Sequence, residues 1–172
     1  MRYFFFYLLI ILTTIYSQTF GAAERSIWLW EEDAYNILDN PTERTQSLDF
    51  LQSHNFSTVY FYADQWLDRN IIKDEPNKYQ ALITDMHNRG MKIHALLGSG
   101  PLNTEEYILP SRDQEAAAMF QRVLDYNANS SPDQRFDGVN VDIEPYLLPD
   151  WDSNTTTRAQ QYLDRSAQYM QM

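Results

Sequence analysis

Two acidic residues near the end of one segment, Asp142 and Glu144, have the type and spacing that acid–base chemistry needs. The pattern of residues 136–145 predicts a buried β-strand that ends at Pro145. Strand side chains alternate between two faces, so Asn140 shares a face with both acids. The opposite face is aliphatic and consists of Val139, Val141 and Ile143. The two carboxyl groups would lie about 7 Å apart, and each charge would raise the pKa of the other group, as a general acid requires.

Strands and helices alternate along the chain, with strands predicted at residues 26–30, 57–63, 92–97 and 136–145. This alternation predicts an α/β fold, a parallel βα repeat. Two architectures fit: a doubly wound sheet and the N-terminal half of a (β/α)8 TIM-type barrel. The acids at the end of the fourth strand favour the barrel, whose active sites lie at the C-terminal ends of its strands. The chain has no glycine-rich nucleotide motif.

Four helices are predicted between and after these strands. The first begins at Pro41 behind an Asn40 cap, and the third begins with a capping box formed by Ser111 and Gln114. The last runs from about residue 156 to the end. Helical periodicity predicts one buried face on each helix. In helix order, these faces consist of Leu48 and Leu51; Tyr79, Leu82, Ile83 and Met86; Phe120, Val123 and Leu124; and Ala159, Tyr162 and Leu163.

The N-terminus predicts export. Arg2 precedes an apolar run over residues 3–12, and the small residues at 21–23 suit signal-peptidase cleavage. We therefore expect residues 1–23 to be a signal peptide and the protein to be secreted or periplasmic, in the cell envelope, with no membrane contact after cleavage. An uncleaved membrane anchor is the alternative, although a spanning helix needs about 20 apolar residues.

The length of the remaining chain is short for a whole barrel. A complete (β/α)8 barrel takes about 250 residues, whereas residues 24–172 hold four βα units. We expect this region to be an incomplete barrel domain from a longer protein, and a self-sufficient half-barrel is the alternative.

Charge and composition limit the classes of partner. The formal net charge is −11, from 13 basic and 24 acidic side chains, and it becomes −12 when Arg2 leaves with the signal peptide. An acidic protein of this kind is not expected to bind nucleic acid, whereas a neutral polysaccharide is compatible. The chain has no cysteine, and its three histidines lack metal-ligand spacing, so we expect no disulfide, metal or cofactor. The sequence does not set the oligomeric state.

Residues 137–144, Asp-Gly-Val-Asn-Val-Asp-Ile-Glu, resemble the strand-four signature of chitinase-type (family 18) glycoside hydrolases, Asp-x-x-Asp-x-Asp-x-Glu. Asp137, Asp142 and Glu144 match, and Asn140 stands where the family has Asp. The wider stretch from residue 28 to residue 146 is similar to secreted glycoside-hydrolase-like barrel proteins of bacteria. The resemblance implies a barrel that hydrolyses glycosidic bonds in a polysaccharide or oligosaccharide. It makes Glu144 the general acid and Asp142 the residue that orients a nucleophilic N-acetyl group of the substrate.

Further site residues follow from strand alternation, which points every second side chain of each strand into the barrel. Aromatic rings near the strand tops would stack on sugars, and polar groups there would hydrogen-bond them. The predicted substrate-binding residues are Asn140, Tyr146, Trp30, Tyr62 and Asp64. The alternative is that the inward aromatic rings fill the barrel core, which we expect for the deeper Trp28 and Tyr60.

Three alternatives to this function stay open. Ile143-Glu144-Pro145 partly matches the Asn-Glu-Pro acid/base of retaining barrel glycosidases, whose nucleophile lies on a later strand. The departure at Asn140 motivates a catalytically inactive carbohydrate-binding barrel. An inactive truncated fragment is the third. Each acid could also have no catalytic role. Asp142 could then cap or pair with a group at the end of a neighbouring strand, and Glu144 could lie in solvent above the barrel.

Overall fold

The structure, a computed structural model, describes residues 24–172, so the predicted signal peptide lies outside the described residues. Four strands and six α-helices follow one another in this range, with single 3-10 turns at Thr104–Ile108, Pro110–Arg112, Pro132–Gln134 and Pro145–Leu147. In chain order the elements are β1 (Arg25–Leu29), α1 (Glu31–Asp39), α2 (Pro41–Ser53), β2 (Phe56–Tyr62), α3 (Ile71–Asp74), α4 (Pro76–Asn88), β3 (Lys92–Leu97), α5 (Asp113–Ala128), β4 (Gly138–Val141) and α6 (Trp151–Tyr169).

The four strands form one sheet in the order β1-β2-β3-β4, and all neighbours are parallel. The predicted α/β class and parallel βα repeat are therefore confirmed. A level row of residues crosses the sheet, because Trp28 pairs with Tyr60, Tyr60 with His94 and His94 with Gly138. Each strand is followed by at least one helix, as parallel neighbours require for their crossover connections.

The two faces of the sheet differ in burial. The odd-numbered strand residues, among them Val59, Phe61 and Ile93, pack against the helices in one hydrophobic core. We call the opposite side, formed by Trp28, Tyr60, His94 and Asn140, the open face. Trp28 is 47% exposed. The expectation that Trp28 fills a core is therefore wrong for the described chain, because no described element covers this part of the open face.

Local sequence signals explain some of the helix boundaries. The Asn40 side chain accepts hydrogen bonds from the backbone N–H groups of Thr42 (3.0 Å) and Glu43 (3.2 Å), which confirms the predicted cap of α2. Gly90 follows α4 with φ of +73°, the left-handed conformation that ends helices. All predicted positions of the second face are fully buried: Tyr79, Leu82, Ile83 and Met86.

The helix predictions differ from the structure in several places. Helices α1 and α3 are absent from the prediction, although the first turn of α1 carries three acidic residues and α1 buries Tyr35 and Leu38. The predicted capping box at Ser111 is wrong, because Ser111 lies in a 3-10 turn and α5 begins at Asp113.

Helix α6 also departs from its predicted pattern. It begins at Trp151 rather than near residue 156, and it has no fully buried residue. Leu163 is 60% exposed. The predicted buried face is therefore wrong. Tyr169 fixes the helix instead, by stacking on Phe120 with ring centroids 4.4 Å apart and donating a hydrogen bond to the carbonyl of Tyr107.

Candidate functional site

The C-terminal ends of β3 and β4 bring the two predicted catalytic acids together. The backbone N–H of Asp142 donates to the carbonyl of Leu97 at 2.9 Å, which continues the β3–β4 pairing one residue beyond β4. The predicted strand over residues 136–145 is too long, because β4 ends at Val141 and a 3-10 turn at Pro145–Leu147 follows Glu144. The Glu144 N–H donates to the Thr104 carbonyl at 3.2 Å, so the loop after β3 supports this end of the segment.

The Glu144 carboxylate is held by two hydroxyl groups. The Thr104 hydroxyl donates to its Oε2 at 3.0 Å, and the Tyr146 hydroxyl donates to its Oε1. The hydrogen bond to Glu144 raises the pKa of Tyr146, and burial and the Glu144 charge add to this effect. Two donors on different oxygens fix the plane and direction of the carboxylate.

The Asp142 carboxyl group is the other member of the pair, and Asp142 is half-buried. Burial raises the pKa of Asp142, and the negative charge of Glu144 raises it further. This is the pattern expected when two carboxyl groups lie close together, because the first proton removed leaves a charge that opposes removal of the second. The site can therefore hold a proton above the pH at which an isolated aspartate loses it.

Gly98 makes room for Asp142. Its φ is +151°, and a Cβ built there would lie 2.8 Å from the Asp142 Cβ and 3.0 Å from the Asp142 carbonyl oxygen. Any side chain at position 98 would therefore push the β4 end away from β3.

We expect Gly98→Ala to lower the free energy of unfolding by about 2 kcal/mol or more, since it adds a steric clash to a strained φ. Chemical denaturation would measure the loss. Gly90→Ala is the matched control, because φ is also positive there but nothing lies within 4 Å of the added Cβ. Equal losses in the two variants would contradict the proposed contact.

Of the other predicted site residues, Tyr146 lies at the acid pair and Asn140 lies just before it, whereas Trp30, Tyr62 and Asp64 lie on other strands. Trp30 follows β1, three strands from β4, or about 14 Å away at ordinary strand spacing. Its ring is half-buried against Tyr62. Tyr62 is fully buried and donates its hydroxyl to the Gln65 carbonyl at 2.7 Å, so it offers no ring face to a sugar. Asn140 is half-buried on the open face, and Tyr146 is 56% exposed beside Glu144.

Asp64 has a structural partner that the sequence does not predict. It is fully buried, and its Oδ1 accepts hydrogen bonds from the Arg122 guanidinium of α5 and from the Gln65 backbone N–H. Burial raises the pKa of Asp64 to about 6, although the Arg122 charge acts in the opposite direction. Gly100 permits this packing, because a Cβ there would lie 2.6 Å from the Gln65 carbonyl oxygen. We therefore leave Tyr62 and Asp64 out of the site proposed below.

Thr104 is the site residue that sequence patterns do not single out. It lies in the loop after β3, and its contact with Glu144 depends on the path of that loop. Among residues 24–172, no three His, Asp or Glu side chains are grouped as metal ligands would be. No helix within the same range is long and apolar enough to cross a lipid bilayer.

Comparison of the chain with models of protein families, with curated proteins and with solved structures finds no match.

Proposed function

We propose that residues 24–172 are the N-terminal half of a (β/α)8 barrel and that the protein is a secreted glycoside-hydrolase-like protein. It hydrolyses glycosidic bonds in a polysaccharide or oligosaccharide. One observation carries the proposal: Asp142, with a raised pKa, stands beside an oriented Glu144 at the C-terminal edge of a parallel sheet. Barrels hold their active sites at this edge, and most glycoside hydrolases cleave glycosidic bonds with a pair of carboxyl groups.

The roles are those that the resemblance at residues 137–144 implies for the two acids. Glu144 donates a proton to the glycosidic oxygen as that bond breaks, and Asp142 orients the group that attacks the sugar carbon. At rest the Tyr146 hydroxyl occupies Glu144 Oε1. Because Tyr146 is exposed, its side chain can turn aside when a sugar enters, and its ring then provides a stacking surface.

The expected substrate is an uncharged or N-acetylated glycan outside the cytoplasm. The acidic chain disfavours polyanions such as nucleic acids. The resemblance at residues 137–144 favours N-acetylated glycans, namely chitin and peptidoglycan, and the predicted signal peptide would bring the protein to them.

The test is release of reducing sugar from chitin, peptidoglycan and a panel of neutral polysaccharides by the full-length protein. We expect activity on at least one of them, and loss of that activity in the double variant Asp142→Asn/Glu144→Gln. Asp68→Asn is the matched control, because Asp68 is an exposed acid in the loop after β2. Activity that survives the double variant would refute the assigned site.

A second function is favoured by the residue at position 140. Asn140 stands where the resembled motif has an acid. The hydroxyl groups of Thr104 and Tyr146 donate to both carboxylate oxygens of Glu144, as they would if Glu144 had a structural role. These features suit a barrel that binds carbohydrate without cleaving it. Glycan binding by the folded protein with no turnover on any substrate would establish this second function over the first.

A further inference from the structure

The loop after β3 packs against the chain at the ends of both neighbouring strands. It begins with Gly98, Ser99 and Gly100, and we call these three residues the 98–100 loop. A Cβ at Gly98 would lie 2.8 Å from the Asp142 Cβ, and a Cβ at Gly100 would lie 2.6 Å from the Gln65 carbonyl oxygen. Both glycines therefore fit closely against neighbouring segments, and Ser99 is the residue of the loop that carries a side chain.

The Ser99 side chain connects this loop to the end of β1. Its hydroxyl donates a hydrogen bond to Oε1 of Glu31, the first residue of α1. The Glu31 side chain therefore reaches across the end of β2, which lies between β1 and β3 in the sheet. Tyr62 at the end of β2 is affected by this position: burial raises the pKa of Tyr62, and the negative charge of Glu31 is among the effects that raise it further.

The Glu31 carboxylate keeps the capacity to accept further hydrogen bonds. A carboxylate has two oxygens that together accept about four hydrogen bonds. Among residues 24–172, the Ser99 hydroxyl is the one donor to this carboxylate. Glu31 is half-buried, so part of its side chain is accessible to a molecule that lies over the end of the sheet.

The contact with Ser99 also brings the Glu31 carboxylate toward the acid pair. β3 is the neighbour of β4, so the 98–100 loop begins about one strand spacing, or about 5 Å, from Asp142. The Ser99 side chain and one hydrogen bond then place the Glu31 carboxylate within about 10 Å of Asp142. Carboxyl groups about 6.5–9.5 Å apart flank the scissile bond in inverting glycosidases, so a separation of this size admits a sugar.

We propose that Glu31, held by Ser99, is a substrate-binding residue that accepts hydrogen bonds from the hydroxyl groups of a sugar extending from the acid pair toward β1. This inference rests on the proposed function, because it adds a subsite to the same glycan site. Trp30 precedes Glu31, and its ring packs on Tyr62 with centroids 6.4 Å apart, so it provides an aromatic surface at this subsite. Hydrogen bonds from hydroxyl groups to a carboxylate are among the strong ones in proteins.

The test measures glycan binding without turnover, in full-length protein that carries Glu144→Gln. The probes are N-acetylchitotetraose, cellotetraose and, where another polysaccharide is hydrolysed, the tetrasaccharide released from it. Calorimetry gives the dissociation constant of each. We expect Glu31→Ala to weaken binding of the tetrasaccharide that the protein binds by about 10- to 100-fold, the usual effect of losing a hydrogen bond to a charged group.

Two further variants show how Glu31 acts. Glu31→Gln keeps an oxygen that accepts a hydrogen bond but loses the charge, so its affinity should lie between those of the wild-type residue and Ala. Ser99→Ala leaves Glu31 in place without its partner and should weaken binding by a smaller factor than Glu31→Ala does. Full affinity in Glu31→Ala would overturn the proposal.

Glu32→Ala is the matched control. Glu31 and Glu32 both lie in the first turn of α1, so the loss of either charge removes a similar favourable interaction with the helix N-terminus. Glu32 is exposed. We therefore expect Glu32→Ala to bind glycan as the parent protein does. A loss of affinity in Glu31→Ala that is no larger than the loss in Glu32→Ala would show that the helix, rather than a sugar contact, accounts for the effect.

The outcomes separate this inference from the proposed function. If the wild-type protein hydrolyses a glycan that Glu31→Ala binds as tightly as Glu32→Ala does, the function stands and the role of Glu31 is refuted. If the protein binds a probe through Glu31 and hydrolyses no polysaccharide, the role of Glu31 stands and the hydrolase activity is refuted. The absence of both binding and hydrolysis would overturn both.

Discussion

Replacing Glu144 by Gln is expected to lower the rate of glycan hydrolysis by about 10²–10⁴-fold, the usual contribution of a general acid. Glutamine has nearly the same shape, and its carbonyl oxygen can still accept one of the two hydroxyl hydrogen bonds that Glu144 receives. The fold should therefore be retained, while the amide cannot supply a proton to a leaving group. Hydrolysis rates on each active substrate, measured with glycan affinity, would separate lost chemistry from lost binding.

The same variant has a second consequence that does not require turnover. The charge of Glu144 is one cause of the raised pKa of Asp142, so Glu144→Gln should lower the Asp142 pKa toward that of an ordinary aspartate. Carboxyl-carbon NMR titration would measure the change. Glu32→Gln is the control, because Glu32 is exposed in the first turn of α1, just after β1. Unchanged hydrolysis of every active substrate in Glu144→Gln would refute the acid role, and an unmoved Asp142 titration would show that the two groups are not coupled.

The sheet is the part of the fold that local sequence predicts best. β3 spans Lys92–Leu97 as predicted, and the parallel direction of the strands follows from their alternation with helices. Helix α4 was predictable for the same reason, because its buried residues repeat at helical spacing. The predictions of buried residues fail where burial depends on contacts with other elements. In α6, for example, apolar residues such as Leu163 are not covered by any described element.

The acid pair was predictable, whereas the contacts that tune it were not. Strand alternation, a local property of the sequence, predicted that Asp142 and Glu144 lie together, although β4 ends at Val141 and both acids follow it. Thr104 lies 40 positions before Glu144, and its contact depends on how the loop after β3 returns over the sheet. Gly98 is visible in the sequence as a glycine at the end of a predicted strand. Only the structure shows that Asp142 packs against it, where a larger residue would clash.

Replacing Arg122 by Met is expected to lower the free energy of unfolding by about 3–5 kcal/mol at neutral pH, the usual effect of leaving one charge of a buried pair alone. Asp64 is fully buried, and its Oδ2 has no hydrogen-bond partner among the described residues. Met preserves the length of the Arg122 side chain but removes its charge. Urea denaturation would measure the loss. Arg89→Met is the control: it breaks a pair with Asp49, whose side chain is 64% exposed, and should cost less than about 1 kcal/mol.

The loss in Arg122→Met should depend on pH in a definite direction. Burial raises the pKa of Asp64 to about 6 in the folded protein, from an ordinary value of 3.8. Between these values the folded protein binds the proton more readily than the unfolded chain, so this group's contribution to stability falls as pH rises. Without Arg122 the Asp64 pKa rises further, and the loss should be small at pH 5 and full at pH 8. Adding Asp64→Asn should remove this pH dependence. Equal losses at the two pH values would show that Asp64 does not carry the buried charge.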